Sequence, residues 1–314
     1  MSERRVLRGQ GPVLVGLELP VVEIRGASDG PRLCLLAGIH GCEYSSIDAV
    51  RRFARECDES ELRGSVTAVP FASPTSFAAR SAFVVPEDGK NLNRCFPGDR
   101  YGSFAEALAE LVFRELIAPS DALLDLHGGD AVEALEPFAL YDESPIEERA
   151  RSLALAFGLP YVVRSVRAEA PVAGTTSAAA AAAGIPAAIA EVGGRGLLEE
   201  AAVQVHLRGI RNVLRELDML PGDPEPSPWS QRQVGRFVWL RCKRAGWWAA
   251  AVDAGAEVAA GDLLGSVEDA YGDELERIEA PEDGVVLFIT SSPAVSDDGL
   301  LLGLGADVGP TIAS

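Results

Sequence analysis

The run LLAGIHGCEYSSID occupies residues 35–48. It begins inside a continuous apolar stretch, PRLCLLAGIH (31–40), of the length of a buried strand, and it leads into YSSIDAVRRFAREC (44–57), whose apolar residues recur at helical spacing. Strand, turn and helix in that order are the unit of an α/β sheet. Gly41 allows a sharp turn off the strand. His40 and Glu43 therefore fall at the C-terminal exit of a strand, the edge at which open α/β sheets bind ligands. The chain has only three histidines in 314 residues, which makes one placed beside a carboxylate at such an edge worth pursuing.

The same rhythm continues downstream. GSVTAVPF (64–71), DALLDLH (121–127), EPFALYD (136–142), LPYVVRS (159–165) and IPAAIAEVGG (185–194) read as strands. SFAEALAELVFRELI (103–117), with Ser103 as N-cap, PIEERARSLALAFG (145–158), the alanine tract TSAAAAAAG (176–184) and GLLEEAAVQVHLRGIRNVLRELDML (196–220) read as helices. Between the second strand and the next helix, residues 73–102 form a long turn-rich loop, of the kind that is usually functional or disordered. Strands separated by helices predict an α/β fold with a mostly parallel or mixed central sheet covered on both faces. PGDPEPSPW (221–229) holds four prolines in nine residues and reads as a linker. Beyond it the helical period disappears, and short alternating runs with glycine turns predict a small C-terminal all-β domain. The expected division is 1–222 and 223–314. Trp247 and Trp248 read as core of the second part.

Composition bounds the function. The 47% hydrophobic content suffices for a full core, and the formal net charge of −19 disfavours nucleic acid or an anionic membrane as partner. No apolar run approaches the ~20 residues of a membrane span, and the N-terminus is charged, so a cytoplasmic protein is expected. The five cysteines form no CxxC pair and read as reduced thiols. Cys42 reads as a packing residue. HExxH and Walker A motifs are absent, and the glycines of GLGADVG (303–309) precede no helix that would receive a phosphate.

A metal site needs a third ligand besides His40 and Glu43. His127 ends its own apolar strand in LLDLHGGD and fits by position; His206, within the last helix on a face expected to be partly exposed, reads as structural. Two histidines, one glutamate and an open fourth position form the donor set of hydrolytic zinc sites. Glu191 ends another strand at the same edge and is the candidate general base, with a helix cap as the plainer alternative.

Four motifs occur in order: GIHGCE, NLNRCFPG, DLHGG and AEVGG. With them, residues 30–220 resemble the succinylglutamate desuccinylase/aspartoacylase family, part of the wider zinc-carboxypeptidase-like group. The resemblance implies one Zn2+ per chain held by His40, Glu43 and His127, catalysis by Glu191, and substrate contacts from Asn93 and Arg94. Arg80 is the nearest match to a second family arginine. It implies hydrolysis of the amide of a small N-acyl amino acid or related N-acylated amine, and a C-terminal β domain that gates the active-site mouth. That β domain also resembles biotinyl and lipoyl carriers, but the carrier lysine is missing, since Lys243 lies before the matching stretch. A metallocarboxypeptidase acting on a short peptide, and a non-catalytic binder of the same fold, are the alternatives. Homo-oligomerisation is left open.

Overall fold

Three strands with apolar middles set the centre of the molecule. Here β3 (Ser28–Ala37), β5 (Ala122–His127) and β9 (Ala187–Glu191) lie side by side and parallel, and the β5 side chains are buried along its whole length. A strand covered on both faces has no polar side to show, which is why these sequences run apolar without alternation. The structure is a computed structural model describing residues 2–166 and 174–312; residue 1, residues 167–173 and the last two residues of the expected 223–314 segment lie outside the described part.

The sheet extends in both directions. On one side β3 pairs in parallel with β4 (Arg63–Val69), followed by an antiparallel edge of β2 (Glu18–Arg25) and β1 (Ser2–Arg8). The sequence reading assigned no element to this edge hairpin. On the other side β9 meets β7 (Phe138–Asp142) antiparallel, and β7 pairs in parallel with β8 (Tyr161–Ser165). The sheet is mixed. One face is covered by α1 (Tyr44–Glu56), α4 (Glu147–Phe157) and α6 (Glu200–Glu216), whose apolar sides share a core with it. The other is covered by α3 (Phe104–Val112) and α5 (Thr176–Ala182). Ser103 is the N-cap of α3, as expected, and its N–H donates to Glu106 Oε2 at 2.8 Å.

The C-terminal region is all strand, as expected, and part of it belongs to the main sheet. β10 (Arg232–Arg241) adds in parallel to β8, and β17 (Leu300–Thr311), β15 (Gly284–Thr290) and β12 (Glu257–Val258) continue from it. The short β6 (Glu133–Leu135) leaves the first half of the chain to pair with β15. A separate four-stranded sheet holds β11 (Gly246–Ala250), β13 (Leu263–Glu268), β14 (Glu274–Glu279) and β16 (Ala294–Val295). Trp248 is buried there, but its neighbour Trp247 is 57% exposed. Adjacent strand residues face opposite sides, so both could not enter one core.

The proline-rich stretch is strapped down. Asn212 on α6 receives the Glu225 N–H at 2.8 Å and donates to its carbonyl at 3.0 Å. Ser227 donates to the Gly158 carbonyl, and Arg208 lies 5.0 Å over the Trp229 ring. His206 is fully buried, contrary to the half-exposed face expected of it. It donates from Nε2 to the Val192 carbonyl at 3.3 Å and meets Phe157 edge-on. Helix α6 packs against both α1 and α4, so its buried arc is wider than one apolar stripe.

Candidate active site

Each of the four residues at the sheet edge arrives on its own backbone element. His40 follows β3 by three residues, Glu43 is the N-cap of α1, and His127 and Glu191 are the last residues of β5 and β9. His127 and Glu191 are register partners on adjacent parallel strands, so their side chains rise on the same face. The turn after β3 has its left-handed residue at Gly38, with φ +71°, not at Gly41. Gly41 is needed for another reason: a Cβ there would stand 2.1 Å from the Ser76 carbonyl oxygen of α2 (Pro74–Ala79).

The three candidate ligands converge. His40 Nδ1 lies 2.6 Å from Glu43 Oε1, and His127 Nδ1 lies 3.0 Å from Glu43 Oε2. The donor atoms of the three residues all fall within 4.8 Å of one another, and the two imidazole centroids are 5.2 Å apart. The remaining ring nitrogens are occupied from behind. His40 Nε2 is 3.1 Å from Asn91 Oδ1, and His127 Nε2 is 3.0 Å from the fully buried Asp125 Oδ2, which also accepts from the Thr176 hydroxyl. Acceptors at both Nε2 atoms place the ring protons there and turn both Nδ1 lone pairs toward one point.

The electrostatics agree with a cation at that point. Burial works to raise the Glu43 carboxyl, but the two imidazoles outweigh it and hold it down to about 2. Burial likewise works to lower His127, yet Asp125 and Glu43 raise it well above the ordinary imidazole value. Glu43 Oε2 is buried and makes no hydrogen bond of acceptable geometry, among the described residues, even with His127 Nδ1 so near. A divalent cation at the convergence of Nδ1, Nδ1 and carboxylate would satisfy that oxygen and replace the protons. The donor set fits a metal of the zinc type.

These groups open into a cavity of about 570 Å³ that is also lined by Glu191, Asn93, Arg94 and Glu133. Glu191 is half-buried there; burial first, then the carboxylates of Glu43 and Glu133, push its carboxyl up to about 8 against the pull of His127 and His40. Arg94 sits in a 3-10 turn, Leu92–Arg94, with its Nη1 donating to the Asn93 carbonyl and its side chain solvent-accessible. Asn93 is buried, and its Oδ1 accepts the Thr176 N–H at 2.9 Å. Arg80 is not brought to this cavity: it ends α2 in the left-handed conformation with an exposed side chain, and its carbonyl accepts from Cys42 Sγ. Cys42 is buried and is not one of the convergent ligands.

Sequence reasoning passed over Asn91, Asp125, Thr176 and Glu133. Asp125 had a signal, since it precedes His127 by two on a strand and so shares its face. Glu133 carried only its nearness to DLHGG; burial pushes its carboxyl up to about 7. It also passed over the aromatic wall that Phe237, Trp239 and Phe288 bring from the C-terminal strands.

The succinylglutamate desuccinylase/aspartoacylase catalytic domain matches residues 29–217. The chain is 30% identical over 277 residues to the N-alpha-acetyl-L-2,4-diaminobutyric acid deacetylase of Halomonas elongata, covering 85% of this chain and 80% of that protein. Its fold is similar to that of a succinylglutamate desuccinylase/aspartoacylase from Rhodobacter sphaeroides (TM-score 0.84, 24% identity, 96% of this chain and 95% of that one). It is equally similar to the product-bound ectoine utilization protein EutE (DoeB) from Ruegeria pomeroyi (TM-score 0.84, 25% identity, 97% and 95%). On the strength of a match spanning the strands and loops that carry His40, Glu43, His127 and Glu191, this chain belongs to the succinylglutamate desuccinylase/aspartoacylase family.

Proposed function

We propose that this protein is a zinc-dependent hydrolase that removes the acyl group from an N-acyl amino acid or related N-acylated amine. The observation that carries the reading is the convergence of His40, Glu43 and His127 beside Glu191 in a cavity that Arg94 also lines. A zinc ion held by His40 Nδ1, Glu43 and His127 Nδ1, one per chain, would polarise the amide carbonyl and lower the pKa of a water to about 7. With a cation beside it to draw its carboxyl back down, Glu191 accepts the proton of the attacking water and delivers it to the departing nitrogen, base first and acid second. Its position at the end of β9, in register with His127, supports a role beside the ligands and not as one of them. Arg94 grips a substrate carboxylate through its planar fork of donors, which a lysine could not match. Asn93 offers its amide N–H groups, its Oδ1 being committed to Thr176; Arg80 has no contact with the cavity in this arrangement.

We assign the reaction to residues 1–222 and the far wall of the cavity to 223–314, where Phe237, Trp239 and Phe288 limit what enters. The named activity of the Halomonas relative supports an amide of a small amino acid as substrate. Among the described residues no helix is long and apolar enough to cross a membrane. The test is a product assay over acetylated, succinylated and aspartyl-type substrates, with and without a strong chelator. Cleavage that stops on chelation and returns with zinc is expected; undiminished cleavage by verified metal-free protein would refute the zinc reading.

A further inference from the structure

The cavity continues well past the groups used above, and strand register sets its floor. His127 pairs with Glu191, and Glu191 with Phe138. Two residues along the same faces, Ile189 pairs with Leu140 and Leu140 with Val163. Side chains alternate along a strand, so Ile189, Leu140 and Val163 share the face of Glu191, and all three line the cavity. The opposite wall is aromatic. Phe237 and Trp239, two apart on β10, stand 5.0 Å from each other and 5.9 and 5.3 Å from Phe288 of β15. Leu140, Phe237 and Trp239 keep part of their surface accessible here, apolar area that a ligand would remove from water.

Ile189, Leu140, Val163, Phe237, Trp239 and Phe288, the side chains that form this trough, carry no cationic group that could pair with an anion. The arginines lining the cavity are Arg94 and Arg241, and the guanidinium of Arg241 is drawn to the Asp298 carbonyl at 2.7 Å. A succinyl or aspartyl carboxylate pushed between Ile189, Leu140 and the three rings would lose its water without compensation. An acetyl group would leave the trough unfilled. From Phe138 to Leu140 the strand advances roughly 7 Å, the reach of a chain of about six carbons.

We propose, resting on the amide-hydrolase reading above, that the acyl group removed by this protein is apolar and larger than acetyl, either a medium straight chain or an aryl-acyl group. It lies in the trough between β9, β7 and β10 while Arg94 holds the carboxylate of the amino-acid half. This departs from the acetyl group named for the Halomonas relative.

The experiment measures kcat/KM of the zinc-supplied protein on N-acyl derivatives of one amino acid carrying acetyl, butyryl, hexanoyl, octanoyl, benzoyl and succinyl groups. A parallel series of N-acetyl derivatives of alanine, leucine and phenylalanine varies the amine half. Burial of each added methylene should raise kcat/KM roughly fourfold, on the order of 10²-fold from acetyl to hexanoyl. Succinyl should rank below butyryl. Trp239→Ala should lower the hexanoyl-to-acetyl ratio tenfold or more; if that variant does not fold, the unmodified protein's series decides alone. A flat or falling acyl series with acetyl still cleaved overturns the proposal, as does a rise confined to the amine series. Cleavage of no amide at all would instead remove the reading on which it rests.

Discussion

Replacing Asp125 tests whether the pair of buried acceptors behind the histidines prepares a metal site. Asp125 Oδ2 receives His127 Nε2 at 3.0 Å and the Thr176 hydroxyl, and the residue is wholly buried. Asp125→Ala removes the acceptor that keeps the His127 proton on Nε2 and leaves two donors unpaired. A hydrogen bond to a charged group contributes about 1.5–3 kcal/mol, and loss of such an outer partner typically lowers metal affinity about 10–100-fold. Asp125→Asn should cost less, because the amide oxygen can still accept from both donors although the charge is gone. The assay is competition for zinc with a chromophoric chelator, accompanied by a thermal melt to separate lost affinity from lost fold. The expected order is wild type, then Asp125→Asn, then Asp125→Ala. Wild-type zinc affinity in a folded Asp125→Ala protein would refute the argument that this carboxylate orients His127.

Three further outcomes are expected. Arg94→Lys keeps the charge but loses the bidentate fork, and an interaction of about 1.5–3 kcal/mol implies a fall of roughly tenfold or more in kcat/KM for an anionic substrate, measured by steady-state kinetics. Burial pushes the His206 imidazole from 6.5 down to about 4, so the unfolded chain binds the proton first; stability is full above pH 6.5 and falls as pH drops toward 4. His206→Gln should therefore flatten that acid limb by roughly 3 kcal/mol, read as the difference between denaturant titrations of variant and wild type, and parallel limbs would contradict the assignment. A chain ending at Leu220 would uncover the β8 edge that β10 occupies, together with Phe138 and Val163, so it should fail to melt cooperatively; a folded truncated protein would show that the two parts are stable apart.

Much of this was legible because the decisive residues sit where backbone geometry is most regular. A histidine closing an apolar strand and followed by glycine, as at His127, can face only the sheet's C-terminal edge, and Glu191 repeats the pattern on the next strand. The supporting groups were harder to see. Asn91 lies 51 residues from His40 and Thr176 lies 51 residues from Asp125, so only the folded chain brings either pair together. Trp247 shows the cost of reading two neighbouring aromatics as one feature, since alternation sends one of them to solvent. The proline-rich linker was visible in composition. What composition could not reveal is that β10 after it rejoins the main sheet beside β8, a pairing 71 residues apart at Arg232 and Tyr161.

We propose that Glu191 moves a proton beside a metal that it does not bind. The most direct measurement is the zinc content and kcat of Glu191→Gln, taken on the same preparation. The replacement keeps the shape of the side chain but cannot accept the proton, and general acid–base catalysis contributes typically ~10²–10⁴-fold. Zinc near one per chain, KM changed far less than kcat, and kcat lower by at least ~10²-fold are expected. Loss of zinc would make Glu191 a ligand, and near-normal turnover with zinc retained would rule it out as the general base.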